Sequence, residues 1–241
     1  MELFLTASPC DDNVPAGCTL PCTFNLLNGF VDNLRACFRP GSAGVIIAAS
    51  PDEHDLNDEM TRTFAGCFAW HGMALTSLTL IDSRNPGDLP QALKASRVVI
   101  LGGGHVPTQN AFFRRLGLKE LLAGFDGLVM GISAGSMNCA SNVYAQPEMP
   151  GESIDPAYQR FIPGLGLTEI SVLPHYQEVR HFTLDGKRLF EDITYADSHG
   201  RCFYAIPDGS YVHNRTLHGE GYRISDGTIF PVCRNGESIL L

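Results

Sequence analysis

The sequence has no long hydrophobic run. Its apolar stretches, such as residues 44–49 and 98–101, fall far short of the ~20 residues that a helix needs to cross a bilayer. The first residues also lack the basic segment and the longer apolar core of a secretion signal, and their pattern is typical of a β-strand. We therefore expect no membrane partner and a cytoplasmic location.

Basic residues are scarce and are not clustered. The chain of 241 residues has 17 Lys and Arg against 26 Asp and Glu, which gives a formal net charge of −9. Binding to nucleic-acid phosphates requires clustered basic side chains, and Arg114-Arg115 is an isolated pair. The composition therefore excludes a nucleic-acid partner.

The sequence also lacks the paired cysteines of common zinc sites. It has eight cysteines but no Cys-x-x-Cys, and the spacing of Cys10, Cys18 and Cys22 matches no common zinc pattern. A chain of this length without an export signal is expected to keep its cysteines reduced, as small buried hydrophobic residues. We expect no metal site.

Short apolar runs alternate with longer amphipathic segments in the first half of the chain. This alternation predicts strand-helix-strand units, and therefore an α/β fold with a doubly wound, mostly parallel sheet covered by helices on both faces. Strand patterns cover residues 2–7, 44–49, 73–81, 97–101 and 128–132, and helical patterns cover residues 23–38, 56–70, 88–95, 108–116, 118–125 and 135–142. With 44% hydrophobic residues, the chain fits a single domain over 1–241.

The pattern changes after about residue 168. Brief apolar segments with Gly or Asp turns between them indicate extra C-terminal strands, including hairpins, at 169–176, 202–206, 210–214 and 221–225. The preceding stretch, 144–166, is rich in proline and glycine. We expect it to be a surface loop that covers the functional site.

The segment Gly131-Ile132-Ser133-Ala134-Gly135 follows an apolar strand and precedes small residues. Gly-x-Ser-x-Gly in this context is the sequence form of a nucleophile elbow, in which glycines allow a sharp turn that projects the serine hydroxyl. The short pattern also occurs by chance in ordinary strand-to-helix turns. The context favours Ser133 as a catalytic nucleophile, because the free N–H groups of the following helix suit an oxyanion.

A serine hydroxyl needs a histidine base, which a carboxylate normally orients. His175 stands at the end of an apolar run, and ligands gather at the carboxyl ends of strands in open parallel sheets. Asp208 stands at a comparable strand end, after the apolar run 203–206, and is the candidate carboxylate, although Pro207-Asp208-Gly209 is also a common turn sequence.

These residues resemble peptidase family S51, which includes the aspartyl dipeptidase peptidase E and the cyanophycinases. The resemblance is carried, in order along the chain, by Gly102-Gly103-Gly104, Gly131–Gly135, Pro174-His175-Tyr176 and Pro207-Asp208-Gly209. It implies a fold like the class I glutamine amidotransferases (flavodoxin-like), with catalytic Ser133, His175 and Asp208. It also implies the N–H groups of Gly104 and Ala134 as the oxyanion hole.

The chain departs from peptidase E at two positions. His105-Val106-Pro107 follows the glycines where peptidase E has Asn-Thr-Phe, and Asp208 stands where it has Glu. His105 is a candidate either for substrate contact or for a structural role in its loop. Glu148 matches an acidic position in the family's loop and is the alternative triad acid.

The leading hypothesis is a serine hydrolase that cleaves a small peptide through an acyl-enzyme, with an aspartyl dipeptide as a candidate substrate and no cofactor. The glycine triplet lacks the Lys-Ser/Thr of a phosphate-binding loop and the spacing of a dinucleotide fingerprint. Two alternatives remain open: an amidotransferase-like domain that binds a ligand without turnover, and an esterase with the same triad. A homodimer is compatible with either.

Overall fold

The elements of the chain alternate between strands and helices, as a computed structural model describing residues 1–241 shows. The strands, numbered along the chain, are β1 (Glu2–Thr6), β2 (Cys10–Asp11), β3 (Thr23–Phe24), β4 (Ala43–Ile47), β5 (Leu78–Ile81), β6 (Ser96–Leu101), β7 (Leu128–Ile132), β8 (Asn142–Tyr144), β9 (Phe161–Pro163), β10 (Ser171–Leu173), β11 (Thr183–Leu184), β12 (Lys187–Arg188), β13 (Cys202–Ala205), β14 (Tyr211–His213), β15 (Thr216–His218), β16 (Gly221–Ser225), β17 (Thr228–Cys233) and β18 (Ser238–Leu240).

The α-helices are mostly short. They are α1 (Phe30–Cys37), α2 (His54–Trp70), α3 (Leu89–Ala95), α4 (Val106–Arg115), α5 (Leu118–Leu121), α6 (Ala134–Met137), α7 (Tyr176–Val179) and α8 (Tyr195–Asp197). Short 3₁₀ turns at Leu27–Gly29 and Pro86–Asp88 precede α1 and α3, and a π-helical segment, Leu189–Thr194, precedes α8. No helix combines the length and apolar character needed to cross a membrane.

Eight strands form the main sheet in the order β18-β15-β14-β1-β7-β6-β4-β5. The strands from β1 to β5 in this order pair in parallel, whereas β14, β15 and β18 add to the β1 edge antiparallel. A second sheet has the order β10-β13-β16-β17. The predicted fold class, with its extra C-terminal strands, is confirmed.

Apolar residues pack on both faces of the main sheet. Leu3 and Leu5 of β1 belong to one buried cluster, and Phe4 between them belongs to another. Successive side chains of a strand point to opposite faces, so this alternation shows that β1 is covered on both sides. The parallel strands are therefore fixed in the interior of the molecule, and their carboxyl ends are fixed with them.

The predicted helix at 23–38 is wrong in its first half, where β3 and the 3₁₀ turn precede α1. The Asn25 side chain accepts a hydrogen bond from the backbone N–H of Leu27 at 2.8 Å, which favours a turn. Asn28 (φ 54°) and Gly29 (φ 69°) then adopt positive φ. A right-handed helix cannot continue through such residues, so α1 begins only after them.

Three other predicted elements are shorter in the structure. The strand at 73–81 is β5, which begins at Leu78, and the helix at 118–125 is α5, which ends at Leu121 before Gly124 adopts a φ of 82°. The helix at 135–142 is α6, which ends at Met137, and the chain then turns into β8. Periodic apolar residues predicted these elements correctly in type but not in length.

Candidate active site

Ser133 occupies a sharp turn between β7 and α6 and has the unusual dihedrals φ 49° and ψ −113°. The flanking glycines are required sterically. A Cβ atom on Gly135 would lie 2.2 Å from the carbonyl oxygen of Leu101, and one on Gly131 would lie 2.7 Å from the backbone nitrogen of Ser136. This local geometry is that of a nucleophile elbow.

Hydrogen bonds to the end of β1 hold this turn in place. The Ser133 N–H donates to the carbonyl oxygens of Thr6 (3.0 Å) and Ala7 (3.1 Å). The buried Ser136 hydroxyl donates to the Thr6 carbonyl and accepts from the Thr6 N–H, both at 2.8 Å, and the Thr6 hydroxyl donates to the Gly131 carbonyl at 2.7 Å. The elbow is therefore fixed to the neighbouring strand as well as to its own.

His175 and Asp208 follow β10 and β13, which are parallel neighbours in the second sheet with Leu173 opposite Ala205. The two side chains emerge at the same edge, and His175 Nδ1 lies 2.8 Å from Asp208 Oδ1. His175 itself is in the left-handed region, with φ 56° and ψ 33°. Residues far apart in the chain are thus joined by strand pairing.

The His175–Asp208 hydrogen bond shifts both pKa values. Burial alone lowers the pKa of His175, but the hydrogen bond to Asp208 and nearby carboxylates raise it overall above its usual value. Burial alone raises the pKa of Asp208, but its hydrogen bond to His175 lowers it overall below its usual value. The pair therefore favours an imidazolium beside a carboxylate, which is the charge state formed when a serine proton is transferred to histidine.

Gln177 holds the other side of the Asp208 carboxylate. Its Nε2 donates to Asp208 Oδ2 at 2.7 Å, and its Oε1 accepts from the Asp208 backbone N–H at 3.0 Å. The sequence analysis missed this residue. Its proximity to His175 gave no sign of contact with Asp208, because that contact depends on the pairing of β10 with β13.

A cavity of about 260 Å³ brings the predicted residues together. It is lined by Gly104, Ser133, Met137, Gln146, Pro147, Glu148, Pro174, His175, Val179, Phe182 and Leu189. Residues 146–148 therefore border the site, as expected for the loop at 144–166, which is rich in proline and glycine. Ser133 and His175 both line this cavity, and no direct hydrogen bond joins their side chains.

Two backbone N–H groups next to Ser133 are unpaired. The N–H groups of Gly104 and Ala134 donate no hydrogen bond within the protein. A Cβ atom on Gly104 would lie 2.8 Å from the Cβ of Ala49, so only glycine fits beside the segment that follows β4 without displacement. Free N–H groups beside a nucleophile suit the negative oxygen of a tetrahedral intermediate.

Glu148 lines the cavity but does not hydrogen bond with His175. Its side chain retains contact with solvent, while packing around the carboxyl and the charge of Glu152 raise its pKa to about 7. Glu152 in turn accepts the backbone N–H groups of Glu148 (2.8 Å) and Met149 (2.9 Å). Of the two candidate acids, Asp208 is the one that contacts the imidazole.

His105 lies outside the cavity lining. Its Nε2 is 2.8 Å from Glu152 Oε1, and its Nδ1 is 2.8 Å from the Thr108 hydroxyl. Both ring nitrogens are therefore hydrogen-bonded to side chains. Through Glu152, His105 supports the segment that carries Glu148.

Two groups of residues that are able to hold a metal ion do not line this cavity. Three or more ligating side chains converge at Cys10, Cys22 and Cys67 and at Glu2, Cys37 and His213. Neither group includes a residue of the predicted triad. The chemistry that the cavity residues can support is acyl transfer by an activated hydroxyl.

The chain is similar to known peptidases in sequence pattern and in fold. The model of peptidase family S51 matches residues 34–222. Among solved structures, a peptidase from an acI-B1 Actinobacterium is similar over 100% of this chain and 96% of its own, with a TM-score of 0.68 and 16% identity. A putative peptidase E from Listeria monocytogenes EGD-e is similar over 96% and 98%, with a TM-score of 0.53 and 19% identity. No curated protein matches the chain. The family match covers most of the chain, and the protein belongs to peptidase family S51.

Proposed function

We propose that this peptidase is a serine hydrolase of small peptides that works through an acyl-enzyme. Ser133 is the nucleophile, His175 is the general base and then the general acid, and Asp208 orients the imidazole. The observation that carries the proposal is the His175–Asp208 hydrogen bond at the border of the cavity that Ser133 also lines. Its Nδ1 contact leaves His175 Nε2 free to face the serine.

The reaction follows from these positions. Ser133 Oγ attacks the peptide carbonyl while its proton passes to His175 Nε2, and the carbonyl oxygen becomes an oxyanion held by the N–H groups of Gly104 and Ala134. Collapse of this intermediate breaks the C–N bond, and His175 protonates the leaving amine. Water then repeats the sequence on the ester and releases the carboxylic acid.

The cavity lining supports a substrate that is small and has a free amino group. Glu148 is the only ionisable acid in the lining, and its carboxylate favours a peptide ammonium group. The lining includes no lysine or arginine, so apart from the imidazole of His175 it offers no cation for an acidic side chain. An aspartyl dipeptide stays the finer prediction from the family resemblance. The lining, in contrast to the resemblance, favours uncharged N-terminal residues over aspartyl, and the substrate panel below decides between the two.

A substrate panel tests this proposal. The panel comprises dipeptides with neutral, aspartyl, glutamyl and β-aspartyl first residues, their N-acetylated forms and simple esters. We expect hydrolysis of neutral dipeptides with free amino groups, and we expect acetylation to lower kcat/KM more in the parent than in Glu148→Gln. Preference for aspartyl dipeptides would contradict the proposed role of Glu148, and cleavage of esters alone would favour the esterase alternative.

The Ser133→Ala variant separates catalysis from binding. A peptidase should lose hydrolysis in this variant while keeping substrate affinity, measured by calorimetry with the uncleaved dipeptide. Binding by both forms without hydrolysis by either would favour the alternative of a non-catalytic ligand-binding domain. The cytoplasmic location stays a prediction from the sequence.

A further inference from the structure

Three cysteine thiols converge on the face of the molecule formed by the first residues of the chain and α2. Cys10 lies in β2, Cys22 directly precedes β3, and Cys67 lies in the last turns of α2. Their sulfur atoms all lie within 4.8 Å of one another, and none of them is in a disulfide. This cluster has no part in the reaction proposed above.

We propose that Cys10, Cys22 and Cys67 form a three-thiolate site for a divalent d¹⁰ cation such as Zn²⁺. Sulfur ligands at about 2.3 Å around a tetrahedral ion are separated by about 3.8 Å, so a shift of about 1 Å brings these thiols into place. Three thiolates leave the fourth position to solvent, because Cys22 is only half-buried.

The protons and charges of the proposed site balance. Binding of Zn²⁺ by three thiols releases three protons, and the bound cluster has a charge of −1.

The loop between Cys10 and Cys22 has few other attachments. Its backbone hydrogen bonds are local, such as those from Val14 to Asp12 at 2.9 Å and from Cys18 to Pro15 at 3.0 Å. Most of residues 12–21 are exposed. A metal ion bound at both ends of this loop and at α2 needs the folded arrangement of the three thiols, so its binding energy would add to the stability of the fold.

Cys18 provides a matched control, because it lies in the same loop but outside the cluster. Reduced, metal-free protein is titrated with Co²⁺ and then Zn²⁺ without oxygen, and thiolate-to-cobalt charge transfer reports coordination by sulfur. We expect one ion per chain in the parent and in Cys18→Ser, with affinity at least about 100-fold lower in Cys22→Ser. Zn²⁺ should raise the Tm of the first two proteins and leave that of Cys22→Ser unchanged.

Circular dichroism is used to check that Cys22→Ser is folded, and Cys10→Ser provides a second variant of the same cluster. Zn²⁺ should also protect Cys22 from alkylation and leave Cys18 reactive. The proposal is overturned if Cys22→Ser binds the ion as the parent does, if the reduced parent binds none at micromolar concentrations, or if binding is lost in Cys37→Ser. The last result would assign the ion to the group of Glu2, Cys37 and His213.

Discussion

The two parts of the candidate active site are positioned by different means. Ser133 is fixed by its own neighbours in sequence, since the glycines of the elbow admit no side chain and the turn bonds to β1. His175 and Asp208 are fixed by the pairing of two strands about thirty residues apart. The nucleophile is thus encoded locally, whereas the base and its acid depend on the second sheet.

The largest effect is expected for the nucleophile. Ser133→Ala should lower kcat by about 10⁴-fold or more, because no other hydroxyl in the cavity lining can form the acyl-enzyme. The measurement is dipeptide hydrolysis, with the exposed Ser77→Ala as control. Activity near that of the parent would show that the elbow does not carry the reaction.

Replacement of the Asp208 carboxylate tests the pair formed by His175 and Asp208. Asp208→Asn should lower kcat by about 10³- to 10⁴-fold, because the imidazole loses its orientation and its charge partner. Glu148→Gln should act mainly on KM, by about 10-fold, through loss of the ammonium contact. Steady-state kinetics distinguish the two, and a larger loss of kcat in Glu148→Gln would make Glu148 the orienting acid.

Because the elbow is fixed by its own glycines, a substitution at one of them should lower the stability of the fold. Gly135→Ala places a methyl group 2.2 Å from a backbone carbonyl. We expect it to lower the free energy of unfolding by about 3 kcal/mol, measured by urea denaturation. Gly87→Ala is the control, because a Cβ atom there meets no neighbouring atom. Equal stability of both variants would contradict the steric account of the elbow.

Gln177 offers a smaller test of the acid. Gln177→Ala removes both hydrogen bonds to Asp208, and we expect kcat to fall by about 10-fold with little change in KM. The exposed Gln91→Ala is the matched control. A change confined to KM would instead place Gln177 in substrate binding.

The smallest expected effect is a shift in the pH dependence of kcat/KM between the parent and Asp208→Asn. A general base acts in its neutral form, and the pKa of His175 is raised, so kcat/KM should increase with pH through a midpoint above the ordinary histidine value of about 6.5. Loss of the carboxylate in Asp208→Asn removes the stabilisation of the imidazolium. The residual activity of this variant should therefore have its midpoint at lower pH, and an unchanged midpoint would show that Asp208 does not govern the titration of His175.

The same contrast explains what the sequence could predict. The elbow was predictable because its strand, glycines and serine are contiguous, and the parallel sheet was predictable from apolar periodicity. Asp208 was a candidate from its place after an apolar run, but the same residues also form a common turn, and the family resemblance was needed to favour the catalytic role. Gln177 was missed because its contact arises from strand pairing, and Cys67 was missed because it joins Cys10 and Cys22 only through the packing of α2.

The most direct test of the account is the site of covalent labelling by a serine-directed fluorophosphonate, located by peptide mass mapping. The account predicts one adduct per chain, on Ser133, with slower labelling in Asp208→Asn and none in Ser133→Ala. An adduct on another residue, with Ser133 unmodified in active protein, would contradict it.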